Sequence, residues 1–501
     1  MNFKLVLLFF LLFNVTFIQN FKSQNYDIYP FINYNLNALQ YHSSKDFEQF
    51  YKKWRSLPQQ TLSIAHLGDS QVQPDYFTGK TREILQNEFG NSGRGMVFPY
   101  AMAKTYSQSD YTSTFTGNWI TGNSIQTPPR VPVGISGFAA KTNADDASFA
   151  FHFKNSFAPG PWIIKLYCDI KAPYRVKFTQ NNHTITYNLD TIQNHNSLNY
   201  IVFETDVLNQ NFEFNIIKTQ NNNIPFHLHG VIIERKSPGV IYHNLGVGGA
   251  NFSAVLYHTY FEQQFPDLNA DLVILDWGGN DILYTNTLAP NLEQTIRSVI
   301  KKVRKSNPQA TIVLTSTIDM WRKNKHISAV IPFANLVKSI AFNEHCLYYD
   351  WLNISGGPHC MNTWVKNKIA QVDRIHLTIK GYQLKGKLFA DAIKTSISYY
   401  ASHPDSSYEF ENSISDSVLK QIALDDSVAN ANYAITSKSK IKSKKLKSNY
   451  RSKTKKTHIV KQGQTLSQIA KANGVSVSQL KRLNNIKNNK IRKGQKIIIR
   501  K

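Results

Sequence analysis

TLSIAHLGDSQVQPDYFTGKTREILQNE, Thr61–Glu88, is the stretch from which the rest of the chain can be read. Its first part, Thr61–Leu67, is a short apolar run that breaks at Gly68-Asp69-Ser70. Thr78–Glu88 follows with helical spacing, so the segment reads as strand, tight turn, helix. The pattern recurs at ADLVIL, Ala270–Leu275, which ends in Asp276-Trp277-Gly278-Gly279-Asn280-Asp281 and leads to a helix-like stretch from Asn291 to Lys305. A third strand follows at TIVLT, Thr311–Thr315. Strands alternating with amphipathic stretches predict a parallel α/β sheet, in which polar residues just past the strand ends face a ligand crevice.

Outward from this core the texture changes. Between about Tyr100 and Tyr242, aromatic and β-branched residues alternate in short runs (Ala147–Phe153, Trp162–Tyr167, Tyr174–Phe178, Phe212–Ile217) with no helical stretch between them. That predicts a β-sandwich inserted over residues 101–239, since strands that merely extended the main sheet would need intervening helices. The α/β part is therefore discontinuous, 40–100 and 240–400. A Ser- and Lys-rich stretch, 401–456, has no core and reads as a linker. The last residues, 457–501, recover pattern as two short strands flanking two short helices, a βααβ module.

The formal charge of +25 is concentrated in this tail: Lys438–Lys501 holds 21 Lys or Arg and no acid, leaving 37 basic against 33 acidic groups elsewhere. The basic end of the linker, Ser437–Lys456, has a single aromatic, Tyr450, so it lacks the stacking pattern of a nucleic-acid binder and reads as a solvated spacer attracted to anionic polymers. At the other end, Met1–Lys4 precedes an apolar stretch, Leu5–Ile18, interrupted only by Asn14 and Thr16. It is too short for a membrane span and predicts a signal peptide over 1–24, cleaved between Gln19 and Asn25, hence an exported protein of the periplasm or cell envelope with no stable membrane span. Cys168, Cys346 and Cys360 are too few for a disulfide scaffold; a Cys346–Cys360 bridge and three buried thiols both remain open.

Chemistry needs a nucleophile, a base and donors for a developing oxyanion. Ser70 stands at the strand-to-helix turn, where Gly-Asp-Ser alone would read equally well as a helix cap. Three further blocks change that. Asn244-Leu245-Gly246-Val247-Gly248-Gly249-Ala250-Asn251 is a glycine-rich turn whose backbone can approach a substrate oxygen. Gly278-Gly279-Asn280-Asp281 places an amide at a strand end. Asp373-Arg374-Ile375-His376 lets one loop supply a base and the carboxylate that orients it. In this arrangement His376 deprotonates Ser70, Asp373 fixes its tautomer, and the N–H groups of Ser70 and Gly249 with the Asn280 amide hold the oxyanion. His359 is a competing base, but Gly356 stands where its carboxylate would be. His66, His227 and His229 read as core or surface residues. No Cys or carboxylate cluster has ligand spacing, so neither metal nor cofactor is expected.

These four blocks, in this order, resemble the SGNH or GDSL-type hydrolase superfamily, named for Ser, Gly, Asn and His. The resemblance implies a three-layer α/β sandwich and places the nucleophile on Ser70, the oxyanion Gly on Gly249 (Gly248 is the alternative register), the oxyanion Asn on Asn280, and the acid and base on Asp373 and His376. Gln71 replaces the Leu of the family's name, and Leu377 stands where many members have Pro. HLGDSQVQPDYFTGKTREIL and GNSGRGMVFP, followed by an inserted β domain, look like the branch of bacterial peptidoglycan O-acetylesterases, in which a carbohydrate-binding-type sandwich interrupts the hydrolase. HIVKQGQTLSQIAKANGVSVSQLKRLNNI and IRKGQKIII resemble LysM, which binds N-acetylglucosamine-containing glycans such as peptidoglycan. The resemblance implies a groove near Gly463, Gln464, Thr465, Asn485, Ile486 and Lys487. Together these imply an exported serine esterase that deacetylates a cell-wall glycan; the rivals are an esterase on another acetylated polysaccharide or a lipid ester, and an inactive glycan-binding envelope protein.

Overall fold

The computed structural model describes residues 28–189, 199–221, 223–410, 456–486, 488 and 490–500. The signal segment and most of the linker lie outside the described residues. The chain divides into two units, Met1–Leu419 and Lys420–Lys501.

Five parallel strands form the centre of the first unit, in the order Gly239–Gly246, Thr61–Gly68, Leu272–Asp276, Thr311–Thr315, Leu347–Tyr349. Their alternation decides which residues go where. Leu62, Ile64, Val240, Tyr242, Leu272 and Ile274 share one buried cluster with Phe77 and Leu85 of the helix Tyr76–Phe89 and with Leu388 and Phe389 of the long helix Ile379–Ser402. A fully buried side chain of this size contributes about 1.5–3 kcal/mol, so this layer is a principal source of the unit's stability. His66 continues the Leu62, Ile64 series and is therefore carried into the same layer, edge-on to Phe77. Sequence order in the sheet reverses between Thr61–Gly68 and Leu272–Asp276, the point at which α/β sheets open a crevice at their carboxyl ends. Ser70 and Asn280 follow those two strands.

The insertion is two antiparallel sheets. One carries Tyr200–Thr205, Trp162–Cys168, Phe226–Arg235, Phe138–Thr142 and Ile120–Asn123; the other carries Tyr111–Thr116, Asp146–Phe153, Asn211–Lys218, Tyr174–Gln180 and His183–Asn188. Phe149, Phe151, Phe178, Phe212 and Phe214 fill the space on the inner face of the second sheet. Gly93–Val97, which the sequence reading assigns to the hydrolase part, pairs with Phe226–Arg235 of the first sheet. Cys168, Cys346 and Cys360 are buried free thiols, so the bridge left open between Cys346 and Cys360 is not formed. Among the described residues, no helix is long and apolar enough to cross a membrane.

The second unit pairs Lys456–Ile459 with Lys496–Arg500 and packs helices Leu466–Ala472 and Val477–Asn484 against them around Val460, Leu466, Ile469, Leu480, Ile497 and Ile499. Thr465 and Ser476 each begin a helix with a reciprocal capping box to Gln468 and Gln479.

Candidate active site

The turn that carries Ser70 is shaped by a close approach. A Cβ on Gly68 would stand 2.8 Å from the Asp276 carbonyl oxygen and 2.4 Å from a Val72 methyl, so only glycine lets the two strands run side by side here. The chain then folds back, with the N–H groups of Val72 and Gln73 donating to the Asp69 carbonyl at 3.1 and 3.0 Å. This leaves the Ser70 side chain half-buried at the crevice. Its Oγ lies 3.2 Å from Nε2 of His376. Nδ1 of the same ring is 2.8 Å from Oδ2 of Asp373, whose other oxygen accepts the N–H groups of Ile375 and His376 at 2.9 and 3.0 Å. Partial burial pushes the Asp373 carboxyl upward, but the His376 ring and the two amides outweigh it and hold the group below the ordinary carboxylate range. An ionised Asp373 fixes the proton on Nδ1, leaving Nε2 to accept from Ser70.

Gln71, which stands in place of the Leu of the family's name, joins the two halves. Its Nε2 donates to the Ile375 carbonyl at 2.8 Å, tying the turn after the first strand to the loop of Asp373 and His376. Gln73 acts on the glycine turn: its Oε1 accepts the Gly248 N–H at 2.6 Å, while its Nε2 donates to the Tyr106 carbonyl at 2.9 Å. Gly248 is thus committed within the protein, and Gly249, at φ +85°, is the glycine of the doublet with open space around it, a Cβ there meeting nothing nearer than Ile125 at 3.8 Å. The Asn280 amide nitrogen donates to the Ala250 carbonyl at 2.9 Å and to Oδ2 of Asp69 at 3.2 Å.

Beneath Ser70 lie two carboxylates that the environment drives apart. Burial pushes Asp69 up to about 7, against the N–H of Gln71 and with the charge of Asp276 adding to the rise. Asp276 is equally buried, yet Lys385, His66 and Thr315 bring it down to about 2. Thr315 Oγ1 donates to it at 2.7 Å, and His66 Nε2 and Lys385 Nζ stand 3.3 and 3.4 Å away. Burial lowers His66, so the ring is neutral, donating to Asp276 and accepting from the Tyr242 hydroxyl at 2.7 Å. Lys385 is laid over Phe77 and Trp351, 4.5 Å from each ring. Asp69, Ser70, Asn280, Leu283, Met320 and Ile375 are among the walls of a cavity of about 40 Å³, room for a few atoms the size of water. His359 is elsewhere, stacked on His326 at 4.1 Å, and takes no part at Ser70.

Comparison with known families gives two matches. Residues 226–384 match the GDSL-like lipase/acylhydrolase family, and residues 458–500 match the LysM domain. The chain carries a GDSL-type acylhydrolase domain and a C-terminal LysM domain. The acylhydrolase domain makes it an esterase. Its described part shares the fold of a peptidoglycan O-acetylesterase at 21% identity and TM-score 0.58, over 70% of this chain and 96% of the other. A family two carbohydrate esterase from Cellvibrio japonicus is 10% identical at TM-score 0.23, over 58% of this chain and 99% of the other. A GDSL-like lipase from Bacteroides thetaiotaomicron is 19% identical at TM-score 0.25, over 31% and 76%. No curated protein matches the chain.

In the LysM domain, Gly463, Gln464 and Thr465 precede the first helix, and Asn485 and Ile486 follow the second; Lys487 lies outside the described residues. Gln464 Oε1 accepts the Lys461 N–H at 2.9 Å and Thr465 caps its helix, so both side chains are used in shaping their loop. Asn485 takes the left-handed conformation, φ +54°, that ends the second helix.

Proposed function

We propose that the protein is an exported serine esterase that removes O-acetyl groups from a cell-wall glycan, peptidoglycan in the first instance, through an acyl-enzyme on Ser70. His376 is the general base and then the acid for the leaving alcohol, Asp373 orients it, and the N–H groups of Ser70 and Gly249 with the Asn280 amide receive the oxyanion. The observation that carries the reading is the unbroken line of hydrogen-bond distances from Ser70 Oγ through His376 to Asp373, 3.2 and 2.8 Å.

Two features support a short acyl group on a glycan. A cavity of about 40 Å³ beside Ser70 favours an acetyl over a bulkier acyl group. The LysM domain, with a glycan groove proposed near Gly463, Gln464, Thr465, Asn485 and Ile486, raises the local concentration of glycan without altering the chemical step. A peptidoglycan O-acetylesterase shares the fold over 70% of this chain.

Acetate release from O-acetylated peptidoglycan, acetylated xylan and nitrophenyl acetate, compared for the wild type and Ser70→Ala, tests the reading. The wild type is expected to act on all three with peptidoglycan preferred, and Ser70→Ala on none. Preference for long-chain esters would favour a lipid substrate, and no release from any ester would leave a glycan-binding protein. Deleting residues 457–501 should weaken pelleting with insoluble peptidoglycan and spare turnover of the small ester.

A further inference from the structure

We propose that Arg322 and Arg374, each laid against an aromatic ring at the rim of the Ser70 crevice, recognise a carboxylate carried by the glycan substrate; this rests on the esterase reading above. The two residues come from different elements: Arg374 from the loop of Asp373 and His376, and Arg322 from the hairpin that follows Met320. Arg374 lies between Asp373 and His376, and its guanidinium stands over Trp321, 5.2 Å from the ring centroid. Arg322, in the hairpin Trp321–His326, stands over Tyr284, 4.5 Å from the centroid. Met320 and Leu283, the neighbours of Trp321 and Tyr284 in sequence, are walls of the crevice itself.

The platform is built to hold its shape. The Trp321 N–H donates to the Arg374 carbonyl at 3.1 Å, and the ring packs on His326 and His359 at 5.3 and 5.4 Å. Arg374 takes φ +55°, a left-handed conformation that a non-glycine residue adopts only where its surroundings impose it. Tyr284 is 67% exposed, so the Arg322 stack is a surface feature and adds little to the core.

Stacking fixes the plane of a guanidinium and leaves its N–H edges for a planar, bidentate partner. Elsewhere in this unit Arg82, Arg94, Arg297 and Arg304 all meet a carboxylate. At the rim, among the described residues, no ion pair engages Arg322 or Arg374; the side-chain acceptor for Arg374 is the neutral amide of Asn324 at 3.2 Å. Lys323 and Lys325 add charge to a hairpin with no acid. A rim with two preorganised forks that no carboxylate engages complements an anionic glycan, and a carboxylate is the group whose two oxygens match one fork.

The test is the ratio of kcat/KM on soluble O-acetylated peptidoglycan strands to kcat/KM on nitrophenyl acetate, in full-length protein. For the double variant R322Q/R374Q the ratio is expected to fall about tenfold or more, the effect of losing one or two charge-assisted hydrogen bonds. Strands whose carboxylates have been amidated with carbodiimide, and acetylated xylan, should show no such fall. An unchanged ratio on the native strands, or an equal fall on the neutralised ones, overturns the proposal. Amidase treatment, which removes stem peptides and frees the lactyl carboxylate, identifies the source: a larger fall on treated strands assigns the carboxylate to the sugar, a larger fall on intact strands to the peptide, and either supports the rim. Raising salt should lower the wild-type ratio by screening, a measurement that needs no variant; a salt-independent ratio counts against the proposal. If the wild type releases no acetate from any substrate, the esterase reading fails by itself. Calorimetric binding of the strands to Ser70→Ala, with and without R322Q/R374Q, then decides the rim, with tenfold weaker binding supporting it and equal binding overturning it.

Discussion

Replacing Asp69 with asparagine should change how the hydrolase unit's stability depends on pH. The ordinary value for this carboxyl is 3.8, and burial, opposed by the Gln71 N–H, pushes it up to about 7 in the fold. The folded protein therefore keeps a proton that the unfolded chain releases. Below 3.8 both states are protonated and the group costs nothing; between 3.8 and about 7 stability falls as pH rises, and above about 7 the full cost is present. At about 1.4 kcal/mol per pH unit, a shift of roughly three units amounts to about 4 kcal/mol. The amide introduced by Asp69→Asn does not titrate. Its single oxygen can accept from Gln71 or from Asn280 but not from both, the same conflict that a neutral Asp69 faces, so the two proteins should be close in stability at pH 4. At pH 8 the variant should be ahead by about 4 kcal/mol relative to that starting point, which for a unit of roughly 380 residues is about 5 °C in Tm. Calorimetric melting at both pH values reads this directly, since every other titrating group is common to the two proteins and cancels in the difference. Parallel Tm curves, separated by the same interval at pH 4 and pH 8, would refute the reasoning and show that Asp69 ionises in the fold without penalty.

Three further outcomes follow from the same geometry. Gln71→Leu restores the residue of the family's name but removes the 2.8 Å bond to the Ile375 carbonyl, so kcat on nitrophenyl acetate should fall about five- to tenfold with little change in KM, and an unchanged kcat would show that the loop is positioned without it. Asp373→Asn should lower kcat by roughly two to four orders of magnitude while circular dichroism stays unaltered; a loss of less than tenfold would mean the ring is oriented by other groups. Asp75→Ala removes one of the two carboxylates that Arg82 and Arg94 share, leaving them Asp110 at 3.7 and 2.7 Å, and urea unfolding at pH 7 should show a loss of about 2–3 kcal/mol. Burial opposes Asp75's charge, but those two arginines outweigh it and depress its pKa, so its stabilising effect belongs above the ordinary carboxylate range and fades as pH falls below it.

The residues that the fold gathers around Ser70 were legible because each lies in a short block whose local pattern, strand end followed by polar residues, is written in consecutive sequence. The interactions that tune them were not. Asp276 meets Lys385 across more than a hundred positions, and nothing at either place distinguishes a buried pair from a surface carboxylate and a helix lysine. Gly93–Val97 was invisible as a strand because GRGMV, buried throughout, shows no alternation of apolar and polar residues. Helix and strand cores, by contrast, were read to within a few residues, as with Asn291–Lys305 against Leu292–Ser306, since one buried face imposes its period on the sequence.

The point of insertion bears on catalysis as well as on domain boundaries. The chain leaves the hydrolase after the helix Tyr76–Phe89 and returns as the edge strand Gly239–Gly246, whose far end is the turn of Gly248 and Gly249. Arg94, on the first strand of the sandwich, donates both to Asp75 at the start of that helix and to Asp110 in the loop that follows. Ser109 N–H donates to the Pro74 carbonyl at 2.8 Å, and Gln73 holds the Tyr106 carbonyl with one end of its amide and the Gly248 N–H with the other. The sandwich is therefore clamped to the nucleophile turn and the glycine turn by buried polar contacts, and cannot swing as a module on a flexible tether. A substitution that loosens Arg94 should consequently disturb the donors facing Ser70 before it unfolds the sandwich, because the shortest path from that guanidinium to Gly248 runs through Asp75, Pro74 and Gln73.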